Sequence, residues 1–389
     1  MESHLKDFDF DCMVVGGGIV GLTAVLELSR LGFSVLSIEK YRPKKGPFDL
    51  NTYIRNVSIS HASYELLNRH IDLPVQHASE FGSMVVWEEA GTEVLRFEAQ
   101  DAGRDQLGWV FEVSPLHEEL WRKVESLENV ELLFGEIDAI DPTSRGVRVE
   151  FGSREISVRF AVAADGAASS VKSALKVRTK VWSLGDAALA TVIQSRGDHE
   201  STAWQKFTVD GPIAFLPSKD RQICSVVWSQ PLNALEKRLA ASEEDFIKEL
   251  QIISGDKLGV IEKVGMRISF PILQRLVYSP MPLQKVFLVG DALRVLHPLA
   301  GLGVNLGIED VRSLADLMKS GPQPSRMQIR NYVNARRLKS LSAIKLMSVI
   351  RQSYRAKSFI PVMGKKSVLS ALNSSTMLKN LMIGYASGL

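Results

Sequence analysis

Near its start the chain sets three spaced glycines between an apolar run and a helical pattern: Val14-Val15-Gly16-Gly17-Gly18-Ile19-Val20-Gly21. Residues 10–15 read as a short strand and 19–31 as a helix. Phe33 to Ile38 reads as a second strand, ending in Glu39. This is a β-α-β unit, and few folds accept it. In such a unit Gly16 permits a tight turn out of the strand. Gly18 lets the backbone approach a pyrophosphate, and Gly21 lets the helix pack closely on the sheet. The helix start offers unpaired N–H groups and roughly +0.5 charge to phosphates. A carboxylate at Glu39 can accept hydrogen bonds from a ribose diol and would repel a 2′-phosphate. The unit therefore suits FAD or NAD, not NADP, and does not by itself choose between those two.

At 389 residues the chain has room for two or three domains. Its two cysteines, Cys12 and Cys224, lie in apolar strand-like runs and read as buried thiols. No disulfide framework or redox pair can be built from them, which suggests a reducing compartment. The seven histidines show no metal-ligand spacing. The first ten residues lack the features of a signal or transit peptide, and no run of about 18 apolar residues occurs. Charge is uneven: no Asp or Glu follows Asp316, while residues 317–389 carry 13 Lys+Arg.

Further along, Asn51 to Arg69 reads as a loop feeding a helix, with Arg55 where that helix begins. Alternation through 83–97 predicts strand, and Pro115–Leu127 is amphipathic and helical. Val130–Phe134, Val147–Phe151 and Arg159–Ala164 read as strands, the last ending at Asp165-Gly166. Residues 185–230 are rich in strand signals with turns between them. Glu243–Ile253 reads as a helix and Lys285–Val289 as a buried strand. Gly303 opens another helix, and beyond Gly321 the chain looks helical, with Pro361 and Gly364 as breaks. The pattern is α/β: a nucleotide-binding domain interrupted by a mostly antiparallel β-sheet domain.

Later segments choose between FAD and NAD. Ala163-Ala164-Asp165-Gly166-Ala167-Ala168-Ser169 is similar to the Asp-Gly motif of the aromatic-ring flavin hydroxylases related to para-hydroxybenzoate hydroxylase. Gly290-Asp291-Ala292 through Asn305 resembles the segment that closes over FAD in the same family. The match is nearest to the ubiquinone-biosynthesis hydroxylases and runs through about residue 320. It implies a Rossmann-like FAD-binding domain (1–80, 113–178 and 273–320), a substrate domain (81–112 and 179–272) and a basic helical C-terminal region (321–389). It also implies that FAD is held by Gly16, Gly18, Gly21, Glu39, Arg55, Asp165, Asp291, Pro298, Gly301, Gly303, Val304 and Asn305. NAD(P)H would be a transient reductant. His297 and Pro298 would lie nearest the reaction, which hydroxylates a phenolic ring with O2 through a flavin C4a-hydroperoxide. No metal is implied. Gly211–Pro217 resembles a family strand over the flavin. Three positions depart from the family: Arg294 (with Leu293) where Ala-His is usual, Leu302 in the Gly-Gln-Gly loop, and Val113 after Glu112.

The acid-free stretch 339–389 mixes apolar and basic residues. It suits the surface of an anionic membrane holding a polyprenyl-phenol substrate, at about 1 kcal/mol per Lys or Arg before screening. The alternative is a helical face docked on the acidic body of the same chain. Nothing resembles a nucleic-acid-binding module. The resulting expectation is a cytoplasmic FAD-dependent ring hydroxylase of ubiquinone biosynthesis, with a peripheral contact on the inner membrane face and a biosynthetic complex as open options. Two alternatives stand beside it: a hydroxylase of a soluble aromatic compound, and a non-catalytic family member that scaffolds a complex.

Overall fold

The computed structural model describes residues 8–42, 50–88, 94–296 and 302–355. Its described strands form sheets of seven, nine and three strands. In the first sheet, Phe10–Val15 lies in parallel register between Val35–Glu39 and the C-terminal half of Arg154–Ala163. Val130–Phe134 extends the sheet beyond Val35–Glu39, and Val286–Leu288 adds in parallel to Arg154–Ala163. Val147–Phe151 and Ala139–Pro142 complete an antiparallel meander on the same side.

The run Phe10–Val15 is apolar on both faces because both are covered. Alternation sends Cys12 and Val14 into one core, with Leu22, Val25 and Leu116, and Met13 and Val15 into another, with Val158 and Leu288. The helix Ile19–Arg30 starts at Gly18 and stops before Gly32, whose φ of +87° favours glycine. Inside that helix Glu27 is buried and lies 2.6 Å from His70 Nε2 and 2.9 Å from Arg30. Burial pushes its carboxyl up, but hydrogen bonds from His70 and Arg30, and their charges, win and hold it at about 2. A carboxyl depressed in the folded state stabilises above its unfolded value and loses that effect as pH falls through the folded one. Acid unfolding is therefore expected to steepen between about pH 4.5 and 2. In Glu27→Gln, denaturant titrations across that window should show a weaker pH dependence; an unchanged one would contradict the pairing.

The second sheet centres on the long strand Lys180–Ser195, flanked antiparallel by Ile223–Pro231 and Ile268–Leu276. One pairing in it is parallel, between Ser83–Glu88 and Thr202–Phe207. The helix Glu243–Ser254 is capped by Ser242, has three acids in its first turn, and buries Phe246, Leu250 and Ile253 beside Trp228 and Cys224. Both cysteines are buried, and burial pushes both thiols up.

Residues 51–69 differ from the sequence reading. A 3-10 turn at Leu50–Ile54 leads into a strand, Asn56–Ile59, before the helix His61–Asn68. The strand exists because Val57 and Ile59 alternate inward and pair with Gly108–Glu112. Arg55 therefore precedes a strand, not a helix, and is exposed.

At the C-terminal end, Leu302–Met318 packs on Ile19–Arg30, and the long helix Arg326–Arg355 packs on Leu302–Met318. The long helix turns Tyr332, Arg336, Ser340, Ala343 and Met347 inward. That spacing is one helical face, and it docks this part of the basic region on the body of the protein. Pro361 and Gly364 lie outside the described residues. Among the described residues no helix is long and apolar enough to cross a membrane.

Candidate functional site

Four chain segments leave the first sheet at one edge. Parallel register aligns Val15 with Ile38 and Ala163, and Ala163 with Leu288. Gly16, Glu39, Asp165 and the Gly290–Ala292 turn, far apart in sequence, therefore emerge together. Hydrogen bonds lock the exits: Gly16 N–H to Ile38 O (2.8 Å), Ala164 N–H to Val15 O (2.8 Å) and Val289 N–H to Ala163 O (3.0 Å). In open α/β sheets the carboxyl edge of the strands is where ligands sit.

The glycine loop divides into positions packed by protein and one left open. Gly16 has φ +112°, and a Cβ there would lie 2.4 Å from Ala164 O. A Cβ on Gly21 would lie 1.9 Å from Gly16 O. A Cβ on Gly18 would meet nothing within 4 Å, so the space above it is free for a ligand. Gly17 was not singled out in the sequence, yet a Cβ there would lie 2.5 Å from Trp121. Its N–H donates to Glu39, and its carbonyl accepts from His117 Nε2 at 2.6 Å. The His117/Trp121 spacing on the helix Val113–Glu125 was the available signal for this support.

Asp165 braces the first turn of the short helix capped by Ser169: its Oδ2 accepts from Ser170 Oγ and Val171 N–H, both at 3.1 Å. Its Oδ1 is buried without a partner. Asp291 is solvent-exposed, yet surrounding protein desolvates its carboxyl and pushes it up, against the charges of Arg294 and Lys172. A side chain both open to solvent and crowded by protein stands in a cleft. Lys172, absent from the sequence reading, is buried close enough to feel both acids. Burial lowers its ammonium, while Asp165 and Asp291 oppose that and Arg275 adds to it. This coupling of Lys172 to both acids is visible only in three dimensions.

Other positions have different roles. The Asn305 amide is committed to protein: Oδ1 accepts from Ser60 N–H (2.9 Å) and Nδ2 donates to Ser58 O (2.8 Å). It fixes the start of the helix Leu302–Met318 to the strand beside Arg55. Gly303 has open space where a Cβ would stand, and Val304 packs partly on the core. Arg294 points into protein and pairs with buried Asp310 at 2.8 Å. Glu112 is buried 3.3 Å from His77; burial pushes its carboxyl up and His77 opposes this. Val113 is the first residue of its helix and packs on the core. Two of the family departures, Arg294 and Val113, are thus accommodated by packing and pairing. His297, Pro298 and Gly301, and the side chain of Leu302, lie outside the described residues.

The edge fits a dinucleotide. It offers an open glycine position at a helix start, a carboxylate after the second strand, and an unpartnered buried oxygen on Asp165. It also brings a second helix start close by: a Cβ on Gly307 would lie 2.6 Å from Val20. Such an edge defines a flavin- or nicotinamide-binding α/β protein.

Comparison with known proteins supplies the choice. Residues 125–323 match the family described as FAD binding domain. The 3-demethoxyubiquinol 3-hydroxylase of Escherichia coli (strain K12) is 30% identical over 315 residues, 78% of each chain. Ubiquinone hydroxylase UbiL of Rhodospirillum rubrum is 25% identical over 323 residues, covering 79% of this chain and 71% of UbiL. The p-nitrophenol 4-monooxygenase PnpA of Pseudomonas putida DLL-E4 shares the fold at TM-score 0.75 and 17% identity, over 97% of this chain and 98% of its own. This chain belongs to the FAD-dependent hydroxylases of ubiquinone biosynthesis. It is an FAD-dependent monooxygenase.

Proposed function

We propose that this protein hydroxylates the aromatic ring of a polyprenylated phenol in ubiquinone biosynthesis, consuming O2 and NAD(P)H. The observation that supports this best is the 30% identity, over 78% of the chain, to a 3-demethoxyubiquinol 3-hydroxylase. Gly16, Gly18 and the start of the helix Ile19–Arg30 hold the pyrophosphate, and Glu39 holds a ribose. Arg55 stands beside the phosphates. Asp291 faces the ribitol side, Asp165 the adjoining edge, and Gly303 and Val304 the ring. Asn305 positions that helix start. Pro298 and Gly301 join this set by resemblance, as does His297. When bound, FAD supplies the hydride acceptor and the activation of O2. The protein's own part is to hold the ring in place and exclude water.

A peripheral membrane contact agrees with the outward face of the long C-terminal helix. Arg326, Arg330, Arg337 and Lys345 are exposed there, together with Met327 and Leu338. Each cation near an anionic bilayer is worth about 1 kcal/mol before screening. The test is NAD(P)H oxidation by the flavin-loaded protein on two substrates: a polyprenylphenol in anionic vesicles and a soluble phenol. Stimulation and ring hydroxylation only by the vesicle-borne substrate are expected. Equal or better turnover of the soluble phenol would favour a soluble-aromatic hydroxylase. Protein that takes up no FAD yet restores quinone synthesis in a deletion strain would favour a scaffold.

A further inference from the structure

Asp310 is fully buried, and its two oxygens join two stretches of chain, residues 290–295 and the long C-terminal helix. Oδ2 accepts from the Gly290 N–H at 3.0 Å and from Arg294 Nη1 at 2.8 Å. Oδ1 accepts from Arg336 Nε at 2.8 Å and, at a longer 3.1 Å, from the same Arg294 Nη1. Arg294 also donates Nη2 to Leu306 O at 3.0 Å, and Arg336 donates Nη1 to Glu309 at 2.8 Å. The Gly290 N–H opens the turn that carries Asp291 into the cleft. Gly290 has φ +58°, and a Cβ there would lie 3.2 Å from Val20, a residue of the helix that begins at the glycine loop. The turn is thus held by Asp310 below and Val20 beside it.

We propose that Arg336, on the long C-terminal helix, is a positioning residue for FAD: it completes the Asp310 carboxylate that holds the Gly290 turn and so aims Asp291. Arg336 is itself buried, and its polar partners are Asp310, Glu309 and Ser313, so it acts through others. The argument is one of charge balance. With Arg336 in place, each Asp310 oxygen has a cationic donor, and Oδ2 has a lone pair for Gly290. Without it, Oδ1 keeps only the longer 3.1 Å bond from Arg294 Nη1, and the carboxylate re-centres on Arg294 at the expense of the Gly290 N–H. Docking of the C-terminal helix is in this way read by the cofactor cleft. The inference rests on Asp291 facing FAD, as proposed above.

The experiment is a titration of FAD into flavin-free protein, read by quenching of flavin fluorescence, with visible circular dichroism at saturation. Arg336→Gln is expected to weaken binding about tenfold, the size of one charge-assisted hydrogen bond. Arg336→Lys keeps the charge without the fork and is expected to weaken it about threefold. Both should alter the dichroism of the bound flavin, which a purely structural role would not move. Wild-type affinity and an unaltered spectrum in Arg336→Gln would overturn the inference. If Arg336→Gln does not fold, the same result in Arg336→Lys would overturn it. Wild-type protein that binds no FAD would overturn the inference together with the FAD reading, which separates that failure from the others.

Discussion

Alanine at Gly21 is expected to leave the protein without flavin. Its methyl group would lie 1.9 Å from Gly16 O and 3.3 Å from the Ala164 side chain. Neither neighbour is the tip of a flexible side chain. The collision is resolved only by moving the helix away from the glycine loop, which removes the N–H groups aimed at the pyrophosphate. Affinity for FAD should fall by about a hundredfold or more, since two or more such hydrogen bonds are lost together. Gly18→Ala is the informative contrast. Its φ of −75° suits any residue, and the added methyl meets no protein atom within 4 Å. That variant should melt where the wild type melts while flavin-free, yet bind FAD about tenfold more weakly, because the methyl occupies ligand space. Flavin-to-protein ratios after gel filtration, with melting curves of flavin-free protein, check both. A Gly18→Ala protein with unchanged FAD affinity would mean that the pyrophosphate does not pass over this loop.

The second large effect is on stability. Asp310→Ala strands the buried guanidinium of Arg294 and leaves that of Arg336 only Glu309; each is at most 4% exposed. Breaking a buried pair by removing one partner costs about 3–5 kcal/mol, because the remaining charge stays buried. In a chain of this size that lowers the melting temperature by roughly 4–6 °C. Glu309→Gln should cost far less, under about 1 kcal/mol, because Glu309 is 26% exposed and buried Arg336 keeps Asp310 as its charged partner. Thermal unfolding of the two variants side by side measures the difference. Equal small shifts would show that the cluster is a solvated ion pair, not a buried one.

The glycine loop and its acid were legible in the sequence because their constraints are local: a turn, a helix start, and a strand end a fixed distance away. The meeting of Asp165 and Asp291 at the same edge was not derivable from local pattern, since it depends on the parallel register of Arg154–Ala163 with both Phe10–Val15 and Val286–Leu288. Only the resemblance to the hydroxylases brought those two acids together in advance. Gly17 passed unnoticed because what crowds it, Trp121, arrives from a distant helix. Arg294 looked like a defect in a motif. Its partners, Asp310 and Arg336, lie on two other helices, and no periodicity links them. The strand Asn56–Ile59 was hidden because four residues carry little alternation of their own and gain their burial from pairing. The basic C-terminal region was read as either a membrane contact or a helix docked on the body. Its described part docks through Tyr332, Arg336 and Met347 and leaves a basic face outward, because a helix has two sides.

The central claim is that FAD held at this edge inserts one atom of O2 into a phenolic ring. The most direct measurement is the isotope content of the product formed by flavin-loaded protein, NAD(P)H and a polyprenylphenol under isotopically heavy dioxygen. One heavy oxygen atom in each new ring hydroxyl is the predicted result. A hydroxyl carrying oxygen from water, or flavin-loaded protein that oxidises NAD(P)H and leaves the ring unchanged, would contradict it.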